Sequence, residues 1–409
     1  MKLNLTDGNL YFRKISGEKG QYPYLCKNVD CDALVIGGGI SGVITAYYLS
    51  KENLNVVLID KNILGYGSSA AANNILEYQS SIDMLRLNKI MGEKNAKKFC
   101  NFCLQSIGDL EKIIKEISEK VDTKGIEFER CNSIYYTNKY MNKNQLLREY
   151  SARAGAGLAV DLIEEHNILD LKYGINLNSG SAVINGYELV QRLAEYLSKL
   201  DNVKIYENTE AINIKSREEE VEIITHNKFK IKTKKVIITE GAEVIKEFPD
   251  MPIELYRIFT IVTDPIKNVD KEFLGFTAKD MDLPCHYIRF TDDKRIIFSG
   301  ESLRITEKNR DEKIMKHISN VKYRKLFKAL QEIMPNLGEV TVRYCFNGIM
   351  PQTKDGLPII DEIQGYPNVF CNLAYGVNGT LYSIIGAKIL EEINDQCYYR
   401  DIHLFKIKR

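Results

Sequence analysis

The sequence has almost no net charge: 56 Lys and Arg against 55 Asp and Glu leave +1 over 409 residues. It therefore lacks the basic excess of nucleic-acid and acidic-membrane binders. It has only 9 Pro, no internal repeat and no low-complexity segment, while aromatics make up 10%. That composition excludes a disordered or repeat protein and leaves a large core in two or three domains. Its five histidines are scattered, so no metal site is expected. No secretory segment is read, and nine cysteines, an odd number, fit reduced thiols. A cytoplasmic setting is the expectation. The one long uncharged stretch, Ala33 to Ser50, is interrupted by four glycines and changes period midway, so it reads as strand, turn and helix and no transmembrane segment is expected.

Organisation begins at Cys31, and residues 1–30 read as an extension that packs on a domain. Ala33 to Ile36 and Asn55 to Asp60 are short apolar runs suited to buried parallel strands, with helix between them from Val43 to Leu49. Asp83 to Val121 has helical spacing, followed by a strand (Ser133 to Thr137) and a helix (Asn142 to Arg153). Helix is expected again over Tyr187 to Leu200, then strand (Val203 to Tyr206), hairpin (Ala211 to Thr233) and strand (Lys235 to Thr239). Leu255 to Thr263, Cys285 to Phe290 and Arg295 to Ser299 fit an antiparallel sheet. A helix over Glu307 to Ile333 should turn Ile314, Ile318, Val321, Leu330 and Ile333 inward. Val342 to Phe346 and Asn368 to Ala374 are strands, and Gly379 to Asn394 is a closing helix.

Gly37-Gly38-Gly39-Ile40-Ser41-Gly42 satisfies G-x-G-x-x-G between a strand and a helix, and Asp60 ends the next strand 18 residues past Gly42. Gly37 permits the tight turn, Gly39 lets backbone approach a pyrophosphate, and Gly42 lets helix and strand pack closely. The helix N-terminus offers N–H groups to phosphate, and Asp60 accepts from ribose hydroxyls. At ordinary glycine usage a chain this long shows about 0.1 such matches by chance. Both NAD and FAD use this fingerprint. Gly155-Ala156-Gly157 hints at a second one, but Val160 stands where its last glycine belongs, so no dedicated NAD(P)H site is expected.

Three further segments bear on the choice: Gly65 to Asn74, a run of small residues; Val236 to Gly241, a strand ending in Thr239-Glu240-Gly241; and Gly348 to Ile360 followed by Tyr375 to Thr380. Together with the fingerprint they resemble the FAD-dependent oxidoreductases of the D-amino-acid oxidase superfamily, from Cys31 to Asn394. Thr353, Asp355, Gly356 and Pro358 match the family phrase T-x-D-G-x-P, and Gly376 and Gly379 match its glycine-led helix. The resemblance implies an α/β fold, with a discontinuous Rossmann-like FAD-binding domain (31–90, 182–250 and 341–397) and an α+β substrate domain with a large antiparallel sheet (91–181 and 251–340). It implies FAD contacts at Gly37, Gly39, Ile40, Ser41, Gly42, Asp60, Lys61, Gly67, Ser68, Ser69, Ala211, Thr239, Gly241, Asp355, Gly376, Val377, Asn378, Gly379 and Thr380. The closing helix would steady negative charge on the reduced flavin. Thr239-Glu240-Gly241 departs from the family's A-T-G.

Relatives that bind amino acids or glycerol phosphate carry arginine in G-x-R-P, whereas here the phrase is Gly348-Ile349-Met350-Pro351. Arg289 and Arg257, with Tyr287, His286 and Met350, are the candidates near substrate, weighed against ordinary sheet packing. Where some relatives attach flavin through cysteine this chain has Gly348, so FAD is expected to be non-covalent and Cys345 a core residue. Cys100 and Cys103 read as two small apolar residues on one helix face rather than a redox pair. The implied reaction is oxidation of a small amine or amino acid by hydride transfer to flavin, with electrons passing to oxygen or another acceptor. Oxidation of a glycerol-phosphate-like alcohol, or a flavin-binding subunit serving a partner protein, are the alternatives. No residue is assigned a catalytic role.

Overall fold

The computed structural model describes residues 4–17, 21–79, 81–267, 269–270, 274–373, 375–392 and 402–409. The expected ends at Ala374 and Asn394 lie outside these residues. Val29–Ile36 pairs in parallel with Val56–Ile59 on one side and Lys230–Ile238 on the other. Val203–Tyr206 and Val369–Leu373 extend the sheet, still parallel, and Ile359–Glu362 closes one edge antiparallel. Val56–Ile59 is buried at all four positions, as a parallel strand covered on both faces must be.

Helices Ile40–Lys51, Gly186–Ser198, Gly379–Glu392 and Glu93–Ile117 cover one face of this sheet, with Val43, Leu193, Leu381 and Phe99 in a shared core. Leu381, Ile384, Ile385 and Ile389 of the closing helix all face that core. Cys100 and Cys103 are buried in it as well. Leu25, Leu34, Ile36, Val236 and Phe248 fill the other face, where the hairpin Ala211–Ser216 and Val221–Thr225 runs antiparallel onto Lys230–Ile238.

The second sheet runs in the order Thr6–Gly8, Val342–Thr353, Ile253–Thr263, Ile296–Arg304, His286–Phe290, Phe276–Asp280, Glu129–Thr137, Tyr173–Val183, Ile75–Glu77. Its pairings are antiparallel except for Phe276–Asp280 beside Glu129–Thr137. Val342–Thr353 and Ile75–Glu77 thus belong to this sheet, while the 93–117 helix packs with the first. The N-terminal segment packs on the fold: Tyr11 and Phe12 are buried against Val262 and Phe346.

The long helix starts at Glu312, capped by the Asp311 carboxylate, after a separate turn at Glu307–Asn309. Its buried side carries Met315, Ser319, Leu326, Leu330 and Ile333, whereas Ile314 and Val321 are exposed. The expected inward face therefore holds at Leu330, Ile333 and half-buried Ile318 and is corrected at Ile314 and Val321, where the sheet takes Met315, Ser319 and Leu326 instead. Gly155 ends a helix rather than opening one, which removes the second fingerprint. Among the described residues no helix is long and apolar enough to cross a membrane.

Candidate active site

Four parallel strands of the first sheet end at one cleft. Gly37 follows Val29–Ile36, Asp60 follows Val56–Ile59, Thr239 follows Lys230–Ile238, and Tyr375 and Gly376 lie just beyond Val369–Leu373. Ligands of open α/β sheets bind at such carboxyl ends. The cleft encloses about 1540 Å³ free of protein atoms, part of it open to solvent. Its walls include Gly37, Gly39, Ile40, Ser41, Asp60, Lys61, Gly67, Ser68, Ser69, Ala211, Thr239, Gly241, Gly376, Val377, Gly379, Thr380 and Met350.

Backbone crowding explains the glycines. A Cβ on Gly42 would overlap the Gly37 carbonyl oxygen, and Gly37 itself has φ +110° with a Cβ position 2.9 Å from Thr239 backbone. Gly39 is the N-cap of the Ile40–Lys51 helix and has no side chain to occupy its first turn. The Ile40 N–H donates to Ser69 Oγ at 3.1 Å. Asp60 accepts from Gly38 N–H and Asn62 N–H, each at 2.7 Å, and burial raises its pKa. An open helix N-terminus, a close backbone turn and a carboxylate beyond it fit a dinucleotide.

Hydrogen bonds draw the distant segments to this turn. Thr239 Oγ1 donates to the carbonyls of Ile36 and Gly37, both at 2.8 Å. The Tyr375 hydroxyl donates to Gly241 O at 3.0 Å, Ser41 Oγ to Asn372 O at 2.8 Å and Ser68 Oγ to Ile349 O at 2.7 Å. Asn378 does not line the cleft. Its side chain accepts from Glu77 N–H at 2.9 Å and donates to the carbonyls of Glu77 and Gln79, fastening the start of the closing helix to the second sheet. Asp355 is also outside the walls, paired with Arg409 at 2.7 Å.

Arg289 is 1% exposed, and its guanidinium donates to the carbonyls of Asn73, Asn74 and Ile184 at 3.1, 3.1 and 2.7 Å. It braces the loop that forms one wall and does not line the cleft. Arg257 donates to Asn347 Oδ1 and to Asn4 O, and it too lies outside the walls, as does buried Tyr287. His286 stacks on Phe298 on the opposite face. No cysteine or histidine is among the described wall residues. A side chain at Gly348 would stand 2.7 Å from Ala71 Cβ, and Cys345 packs under the long helix.

Sequence reading did not assign Glu210, Asn73, Ile258 or Thr260 to the walls, which they also form. The run Gly65 to Asn74 signalled Asn73, but only strand pairing brings Ile258 and Thr260 in. Glu240 lines the cleft too; burial, reinforced by Glu247 and Glu243, pushes its pKa up to about 8. Lys61 pairs with Glu243 nearby.

The fold and the cleft define a dinucleotide-binding α/β class, with one nucleotide turn beneath a second sheet. A family model for FAD dependent oxidoreductases matches residues 32–393, and the chain belongs to that family. It is 27% identical over 302 residues to a protein of Bacillus subtilis strain 168 named as a Rieske 2Fe-2S iron-sulfur protein, covering 71% of this chain. The match spans only 56% of that relative's length. A D-amino acid dehydrogenase of Vibrio atlanticus is 23% identical over 430 residues, covering 88% of this chain and 95% of its own. The solved glycine oxidase of Geobacillus kaustophilus superposes with a TM-score of 0.78 at 20% identity, covering 93% of this chain and 99% of its own. That likeness shows the fold.

Two consequences are measurable. Gly42→Ala adds a methyl group where backbone already stands, an overpacking cost of about 1–3 kcal/mol. It is expected to weaken FAD binding at least about tenfold, read as flavin fluorescence quenching in a titration. An unfolded glutamate has its usual pKa of 4.5, so Glu240 keeps a proton in the folded chain between that value and about 8. Stability attributable to it falls as pH rises through that window. In the flavin-free protein, Glu240→Gln should leave the thermal midpoint nearly unchanged at about pH 4, below the window, and raise it at about pH 9, by circular dichroism.

Proposed function

We propose that the chain oxidises a small amine or amino acid at the carbon bonded to nitrogen, with FAD held non-covalently in the cleft. The single observation that carries this reading is the meeting of the Gly37–Gly42 turn, Asp60 and the Gly376–Thr380 turn in one cleft beneath the second sheet. Membership of the FAD dependent oxidoreductase family supports it, as do relatives named for D-amino acid and glycine oxidation.

FAD, when bound, supplies a two-electron acceptor for a hydride from the substrate C–H bond. The protein does the rest. Gly39 to Ser41 and the helix they open would receive the pyrophosphate, Asp60 would accept from ribose hydroxyls, and Gly67 to Ser69 with Ala211, Thr239 and Gly241 would line the extended nucleotide. The N–H groups from Gly376 to Thr380 would steady the negative charge that reduction places on the flavin. The second sheet excludes water and positions the substrate. The imine that leaves is hydrolysed in solution, and oxygen or another acceptor takes the electrons.

The purified protein should show a flavin absorption spectrum that is bleached, without oxygen, by at least one member of a panel of amines and amino acids. A panel that leaves the spectrum unchanged while glycerol phosphate bleaches it would overturn the substrate class. Acid precipitation should leave a colourless pellet and a yellow supernatant; a yellow pellet would contradict non-covalent binding.

A further inference from the structure

Thr239-Glu240-Gly241 puts a carboxyl group where the family phrase has a threonine, and Glu240 is a cleft wall. The end of the Lys230–Ile238 strand fixes its place. Glu240 Cα stands 3.1 Å from the position of a Cβ on Gly37, so the residue abuts the backbone turn that opens the nucleotide helix. Its side chain does not cap the turn Gly241–Lys246 that follows it, and among the described residues its carboxyl has no hydrogen-bond partner.

The charged neighbours of Glu240 are Glu247 and Glu243 on the turn it opens, and Lys61 and Asp60 beyond the Val56–Ile59 strand. Glu210 lines the cleft as well. Lys61 is the one cation among the described wall residues, and it pairs with Glu243, which also holds Lys246 at 2.6 Å. Tyr375 stays neutral, its pKa held far up by burial, and donates its hydroxyl to Gly241 O. The wall thus sets the carboxyl groups of Asp60, Glu210, Glu240 and Glu243 against one lysine. A diphosphate is anionic, so it meets repulsion here unless a carboxyl group gives up its charge. A neutral carboxylic acid instead donates an O–H, and to an anionic oxygen that bond is charge-assisted. Asp60 is held by two backbone N–H donors, and Glu243 by two lysines that pull its pKa down. Glu240 is the group left to carry the proton, with its pKa pushed up to about 8 by burial and by Glu247 and Glu243.

We infer that Glu240 binds FAD as a neutral acid, donating its O–H to the dinucleotide beside the Gly37 turn, so that in alkaline solution the chain takes up a proton as it takes up FAD. The inference rests on the placement of FAD in the cleft given above, and it adds a contact that the glycine turn does not supply. It makes retention of the flavin sensitive to pH, because an ionised Glu240 would both lose its donor and repel the diphosphate.

The test measures FAD affinity against pH, from the free flavin fluorescence that appears when the flavin-loaded protein is diluted. Wild type should hold FAD about tenfold more weakly at about pH 9 than at about pH 7, because one unit above a pKa of about 8 roughly nine-tenths of Glu240 has lost its proton. Glu240→Gln is neutral at every pH and still a donor. It should match wild type at about pH 7 and bind FAD about tenfold more tightly than wild type at about pH 9. Glu240→Ala, which has no donor, should bind more weakly than Glu240→Gln at both. Calorimetry of FAD added to wild-type protein stripped of flavin, at about pH 9 in two buffers of different ionisation heat, should count about one proton taken up per FAD. That count needs no variant. Equal wild-type affinity at the two pH values, no proton uptake, or a loss of affinity that persists in Glu240→Gln overturns the inference and leaves FAD in the cleft. A protein that binds no FAD at either pH overturns the placement and the inference together.

Discussion

The approach of backbone to backbone at Gly37 and Gly42 is the constraint on which the rest depends. The Ile40–Lys51 helix leaves its strand so closely that no side chain fits at position 42, and Thr239 closes the same point by donating to the carbonyls of Ile36 and Gly37. That closeness puts the helix N-terminus at the carboxyl ends of the strands, where a dinucleotide phosphate meets N–H groups rather than side chains. It also locks the Lys230–Ile238 strand against Val29–Ile36, and Glu240 and Gly241 become cleft walls in consequence.

Around this point the chain brings its two ends together with a few buried polar contacts. Ser41 reaches Asn372, Ser68 reaches Ile349, and Gly376 N–H donates to Pro351 O at 3.0 Å. Asn378, 1% exposed, ties the closing helix to Ile75–Glu77 with three hydrogen bonds. Each such bond contributes about 1 kcal/mol, but leaving its buried partners unsatisfied costs more, so these contacts set geometry more than stability. The second sheet then sits over the cleft with one face on its own helix and the other, carrying Thr260 beside the apolar cluster of Val262, Ile297 and Phe346, toward the site.

Legibility in the sequence followed distance along the chain. The glycine turn and Asp60 lie within one strand-turn-helix-strand unit, so their spacing alone declared them. The Gly376–Thr380 turn was readable through family resemblance, because nothing local ties it to Gly37. Tyr173–Val183 was not read as a strand: Asn176, Asn178, Ser179 and Gly180 have poor strand propensity, and pairing with Glu129–Thr137 and Val160–Ile163 holds it. Ile75–Glu77 is three residues long, too short for any periodicity. The long helix offered two overlapping apolar stripes, and only the sheet selects Met315 over Ile314. Arg289 looked like a substrate anchor on its strand, yet its three acceptors come from loop carbonyls more than 100 residues away.

The central claim is that the two ends of the chain build a single flavin site beneath the second sheet. A crystal structure of the protein grown with FAD tests it most directly. The account predicts one continuous dinucleotide in the density, from Asp60 past Gly39 to Gly376, with its ring end under Thr260 and Ser299. Density for FAD that avoids the Gly376–Thr380 turn, or a cleft that stays empty at saturating FAD, would contradict it.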